Sequence, residues 1–193
     1  MTSRKQEKFE MILDAAEKVI AENGFHGSQV SKIAKEAGVA DGTIYLYFKN
    51  KEDILISLFQ DRLGKLVDLF NSSIRDTSTA DEALRKICEI HLSQLEQNVD
   101  LAYVTQIELR QSSLELRKAI GLAVKPYIVL IEQVLIRGIE EGSFRADLDT
   151  KLTRQLIFGA LDEVVTSWLI SGMKYSMTEQ VEHTVDFFLR GLK

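Results

Sequence analysis

Residues 28–51, SQVSKIAKEAGVADGTIYLYFKNK, decide how this chain is read. Ser28 is placed to cap a helix whose apolar positions Val30, Ile33, Ala34 and Ala37 share one face. Gly38 supplies the positive φ that a short turn between two crossed helices needs, and Val39 fills the corner. A second short helix follows from about Asp41 to Phe48. Ile44 and Phe48, four apart, point it at a core, while Asp41, Gly42 and Tyr45 share a second face and Thr43 and Tyr47 a third. This is a helix-turn-helix, and its second helix can lie in a DNA major groove. Gly42 allows the backbone close to the duplex, and Thr43, Tyr47 and Lys51 are candidates to reach phosphates.

The pattern outside this stretch is helical throughout. Phe9, Ile12, Leu13, Ala16, Val19 and Ile20 mark one face of a preceding helix that ends at Asn23-Gly24. Leu55, Leu58, Phe59, Leu63, Leu66, Val67 and Phe70 describe a helix after it. Leu152, Leu156, Ile157, Ala160, Leu161, Val164, Val165, Trp168 and Leu169 describe another near the far end. Asn50 with Asp53 forms a capping-box pattern, and Asp149 or Thr150 is placed to cap the Trp168 helix. Pro126 lies inside a helical run, where a kink or a split is expected. With a single proline and no strand-like alternation, the chain is expected to be all-α.

Composition narrows the class further. In 193 residues, 45% are hydrophobic and 27% charged, which excludes wholesale disorder and leaves ample core. No signal peptide pattern opens the chain and no apolar run near 18 residues is apparent, so no membrane partner is expected. A lone Cys88 cannot form an internal disulfide framework or a zinc knuckle, which points to a reducing cytoplasm. The net charge is −5, and residues 1–55 hold eight Lys/Arg against nine Asp/Glu. Non-specific coating of nucleic acid is therefore excluded, and phosphate binding must rest on a few well-placed cations.

The run DGTIYLYFKNKEDIL, preceded by VSKIAKEAGV and by the helix AAEKVIAENGF, resembles the DNA-binding domain of the TetR family of transcriptional regulators. The resemblance covers about residues 8–55. It departs from the family at Ala40, where a Ser or Thr cap is more usual, and Asp41 is the residue to take over that capping. It implies a three-helix helix-turn-helix domain over residues 1–55 and a larger helical effector-binding and dimerisation domain over 56–193. It also implies contacts to double-stranded operator DNA from Gln29, Ser31, Lys32, Asp41, Gly42, Thr43, Tyr45, Tyr47 and Lys51. Such regulators bind palindromes as homodimers, with two recognition helices about 34–36 Å apart. The last two helices suit that pairing: Gly159, Ala160 and Ser167 are small, and Phe187, Phe188 and Leu192 form an apolar stripe.

Residues 101–117 (LAYVTQIELRQSSLELR) and 155–168 (QLIFGALDEVVTSW) resemble, within that family, the regulators of fatty-acid degradation. That likeness implies a repressor released by a long-chain acyl-CoA effector, with no cofactor. The apolar tunnel it requires has Phe70, Val104, Ile107, Tyr127, Leu130, Val134, Phe158, Leu161 and Trp168 as candidates. Arg110 and Arg117, two turns apart on one helix face, are candidates for the phosphates of coenzyme A.

Two other classes compete. A multidrug-type regulator of the same family would hold lipophilic cations among many aromatics and buried carboxylates, yet aromatics are 8% here. A helical enzyme would need a nucleophile order, a phosphate loop or a metal-ligand spacing, and none is seen, so no catalytic or metal-binding residue is assigned. His26, His91 and His183 have no partner at metal spacing and are expected to be structural or solvated.

Overall fold

The computed structural model describes residues 3–193, and among them every regular element is helical. The order is α1 (Ser3–Gly27), α2 (Val30–Glu36), α3 (Asp41–Ile44), α4 (Lys51–Ile74), α5 (Ala80–Gln97), α6 (Val99–Glu108), α7 (Leu114–Glu140), α8 (Thr150–Ile170) and α9 (Val181–Leu192). A 3-10 turn, Thr178–Gln180, precedes α9. The chain forms two compact units. One holds residues 1–62 with 100–123, and the other holds residues 63–99 with 124–193.

In the first unit, α1 buries Ile12, Leu13, Ala16, Val19 and Ile20 at helical spacing. Gly24, at φ +68°, breaks its regular course where the sequence placed the end. Arg62 of α4 pairs with Glu17 at 2.6 Å and with Asp14, both on α1, and with its neighbour Asp61 at 2.7 Å. Its side chain is largely buried, so the guanidinium is a cross-link between helices rather than a solvated surface charge. In the second unit α5 packs on α8 and α9. The core there joins Leu84, Ile87 and Leu92 to Ile131, Leu135, Leu161, Val165 and Val185.

The helix starts follow the expected chemistry in two places. Asn50 Oδ1 accepts from the N–H of Asp53 at 2.8 Å, and Asp53 Oδ2 accepts from the N–H of Lys49 at 2.9 Å. Asp149 caps α8 by accepting from the N–H groups of Lys151 and Leu152.

Other local expectations are corrected. Ser28 does not cap α2, whose cap position is Gln29 with no side-chain bond. The Ser28 hydroxyl is buried and donates to the carbonyls of Gly24 and Val19, which folds the α1–α2 corner. Val30 is half-buried rather than core. The second helix of the motif is regular only over Asp41–Ile44. Beyond it, i→i+3 bonds from Leu46 to Thr43 and from Tyr47 to Ile44 continue the winding to Phe48. The β-branched and aromatic run Thr43-Ile44-Tyr45 is poor at propagating a helix. Asp41 makes no cap; the cap position is Ala40, without a side-chain bond.

Helix α7 runs through Pro126 without splitting. The carbonyl left without a donor belongs to Leu122, and both residues are exposed, so water can serve it. By length and composition α7 could cross a membrane, against the expectation that no run was long enough. Its buried positions Ile120, Val124, Tyr127, Ile131 and Leu135 recur at three- and four-residue intervals, the pattern of a one-sided packing helix. Arg110 and Arg117 do not share a helix. Arg110 lies in the turn after α6, and Arg117 is in the first turn of α7. The break comes from Ser113, whose hydroxyl accepts from the N–H of Leu116 and starts a new helix. Phe188 and Leu192 are buried within the second unit, leaving Phe187, 73% exposed, as the outward member of that stripe.

Candidate DNA-binding surface and effector core

The α2–α3 corner is built on Gly38, at φ +64°, which lets the N–H of Val39 turn back to the carbonyl of Ala34 at 2.9 Å. Ile33, Ala34, Ile44 and Phe48 are buried beneath it, and Phe9 of α1 stacks on Phe48 with centroids 5.2 Å apart. With Ile44 and Phe48 facing inward, the opposite surface of α3 must face out. Gln29, Ser31, Lys32, Asp41, Gly42 and Tyr45 are all exposed, and Thr43, Tyr47 and Lys51 are half-buried. A Cβ at Gly42 would meet no protein atom, so this glycine answers no packing need of the chain. Without a Cβ there, the backbone can come close to a partner.

Lys51 has work within the protein. Its Nζ donates to the carbonyl of Phe25 at 2.8 Å and reaches that of His26 at 3.5 Å, and it stands 4.4 Å above the Phe25 ring. The peptide on the other side of Phe25 is held too. Glu108 Oε1 accepts from the N–H of Phe25 at 2.7 Å, and Glu108 Oε2 accepts from Gln111. Glu108 and Gln111 are 4% and 5% exposed. The corner between α1 and α2 is thus clamped by a carboxylate from α6 and an ammonium from the first residue of α4. A shallow cavity of about 260 Å³ opens beside it, lined by residues 23–27 and by Ile107, Glu108, Arg110, Gln111 and Ser112. No local sequence signal marks Glu108, which opens the stretch ELRQSS between exposed Ile107 and half-buried Leu109.

Several tunnel candidates meet in the second unit around Tyr127. Its ring stacks on Phe70 at 4.7 Å, meets Phe158 edge-on at 5.6 Å and lies 5.8 Å from the His91 ring. Tyr127 Oη is 3.0 Å from His91 Nδ1. Leu130, Val134, Leu161 and Trp168 are buried in the same unit, and Trp168 Nε1 donates to the carbonyl of Tyr175 at 2.8 Å. Val104 and Ile107 belong to the first unit. Val104 is buried, but Ile107 is 55% exposed. Arg110 and Arg117 are exposed, and Arg110 Nη1 donates to the carbonyl of Gln106 at 2.9 Å. Burial holds His91 neutral by lowering its pKa to about 4, and pushes the Cys88 thiol up to about 12. His91 could have been found in the sequence, since it follows Leu84, Ile87 and Cys88 on the buried stripe of α5. His26 and His183 are exposed.

A helix-turn-helix seated on one helical unit, with a second helical unit holding a buried aromatic cluster, defines a one-component regulator. The chain belongs to the TetR family. Residues 12–58 match the profile of the bacterial regulatory proteins of that family, and residues 59–191 match that of the YsiA-like protein C-terminal region. The family is one of transcription regulators rather than enzymes. The fatty acid metabolism regulator protein of Bacillus subtilis is 48% identical over 189 residues, covering 98% of this chain and 97% of that one. FadR of Bacillus subtilis, solved in complex with stearoyl-CoA, superposes with a TM-score of 0.93 at 48% identity, over 96% of this chain and all of that one. The fatty acid degradation regulator FadR of Bacillus halodurans gives the same score and coverage at 50% identity. The protein is a close relative of these FadR regulators.

Proposed function

We propose that the protein is a homodimeric repressor that binds palindromic operator DNA of fatty-acid degradation genes and is released by long-chain acyl-CoA. The observation that carries the reading is the near full-length likeness to a regulator holding stearoyl-CoA. The aromatic core around Tyr127 supports it, because an acyl chain needs an apolar environment of this kind. In this reading residues 1–55 bind DNA in the cytoplasm, and residues 56–193 bind effector and pair the two copies. Phe70, Tyr127, Leu130, Val134, Phe158, Leu161 and Trp168 are assigned to the acyl chain.

Effector releases DNA only if it favours a state whose recognition helices no longer match the groove. Coupling of about 1–3 kcal/mol corresponds to a 5- to 150-fold loss of operator affinity, and operator must weaken effector binding by the same factor. Fluorescence anisotropy of operator DNA, titrated with palmitoyl-CoA or stearoyl-CoA and separately with a lipophilic cationic dye, tests this. Release by the dye alone would move the protein to the multidrug class.

Pairing is assigned to α8 and α9. Their outer side carries a groove of about 510 Å³ lined by Ala160, Glu163, Val164, Ser167, Tyr175, Gln180 and Thr184, and Leu152, Leu156 and Phe187 stand exposed on the same helices. Ala160→Arg places a long charged side chain in this seam, at an expected cost of several kcal/mol of association. Sedimentation velocity at micromolar concentration should show dimer for the parent chain and monomer for the variant. A monomeric parent would end the assignment.

A further inference from the structure

His91 leaves half of its hydrogen-bonding capacity unused in an apolar core. It is 4% exposed, its Nδ1 pairs with Tyr127 Oη, and its Nε2 is bonded by no protein group. Two neutral tautomers are available. With the proton on Nδ1, the imidazole donates to the phenol, and both the phenol O–H and the Nε2 lone pair then lack partners. With the proton on Nε2, the phenol donates to Nδ1 and a single donor, Nε2–H, is left unmet. The second arrangement leaves fewer buried groups unsatisfied, so it is the one the core holds. An orphaned buried donor is unusual in a native protein, and it gains more from a ligand acceptor than a solvated donor would.

We propose that His91 Nε2–H recognises the uncharged acyl carbonyl of the effector. The inference rests on the acyl-CoA reading above and names its specificity-determining residue. A thioester carbonyl is neutral and is satisfied by one donor. A carboxylate entering beside Phe70, Tyr127 and Phe158 would need a charged partner, and the neutral imidazole supplies none.

Isothermal titration of the full chain with stearoyl-CoA and with its S-octadecyl thioether, which keeps the chain and the coenzyme but lacks the carbonyl, tests this. The parent protein should bind the thioester about tenfold more tightly, which is about 1.4 kcal/mol, and His91→Leu should remove that preference while keeping thioether affinity. Equal binding of the two ligands by the parent overturns the inference and leaves the effector reading standing. Failure of both to bind removes the effector reading and this inference with it. If His91→Leu does not fold, His91→Phe, which keeps a ring of similar size but has no N–H, is measured in its place.

Discussion

Glu108→Ala is expected to lower stability by about 2 kcal/mol and to weaken operator binding by an order of magnitude. The carboxylate is buried, and its loss leaves the N–H of Phe25 and the amide of Gln111 without their acceptor. Each buried donor left unmet costs about 1–3 kcal/mol, offset in part because a carboxylate no longer has to be desolvated. The effect on DNA comes from the place that is loosened. Phe25 and Gly24 set where α2 begins, and α2 sets the angle at which α3 meets a groove. Glu108→Gln keeps an oxygen for Phe25 but turns an amide toward Gln111, so it should lose less, about 1 kcal/mol. Urea denaturation and operator anisotropy on both variants are the measurements. An alanine variant as stable as its parent would show that Phe25 is held in place by Lys51 alone.

The second large effect is expected at Gly138. A Cβ there would lie 2.1 Å from Cδ2 and 2.3 Å from Cε2 of Phe144, which is 3% exposed. The ring cannot swing away freely, because the N–H of Phe144 and that of Ser143 both bond to the carbonyl of Gly138 at 2.9 Å. Gly138→Ala therefore overpacks the end of α7, at about 3 kcal/mol. For a chain of this size that is a fall of roughly 6–12 °C in Tm. In a Phe144→Ala background the clash is absent, so the same change should cost under about 0.5 kcal/mol. Calorimetry of the four proteins of this cycle measures the coupling. Additive losses would mean that the ring is not the obstacle.

The helical class and the outward face of the helix-turn-helix were legible because both depend on spacing. Ile44 and Phe48 lie four apart, so once they are placed inward, Tyr45 and Gly42 have nowhere to face but out. Caps at Asn50 and Asp149 were equally local, since a side-chain oxygen serves N–H groups two or three residues away. Where a side chain had a tertiary partner within reach, local reading failed. Ser28 stood in a cap position but found the carbonyls of Gly24 and Val19 instead, because the α1–α2 corner buries it.

The effector side shows the same division. Phe70, Tyr127 and Phe158 were named as candidates for the tunnel that the family likeness requires, and the structure brings their rings together around Tyr127. Arg110 and Arg117 were joined by counting residues along a helix that Ser113 interrupts. Helix periodicity is a property of neighbours in sequence, and it is lost at the first turn.

By itself, the sequence determined the helices, the motif that faces DNA and the kinship of the chain, because each is written in residues within a few positions of one another. The tertiary structure alone decided which polar groups meet. Phe25 and Glu108 are 83 residues apart, and His91 and Tyr127 are 36 apart. Nothing local marks such pairs, because a buried carboxylate or imidazole is tolerated only where the folded chain delivers its partner.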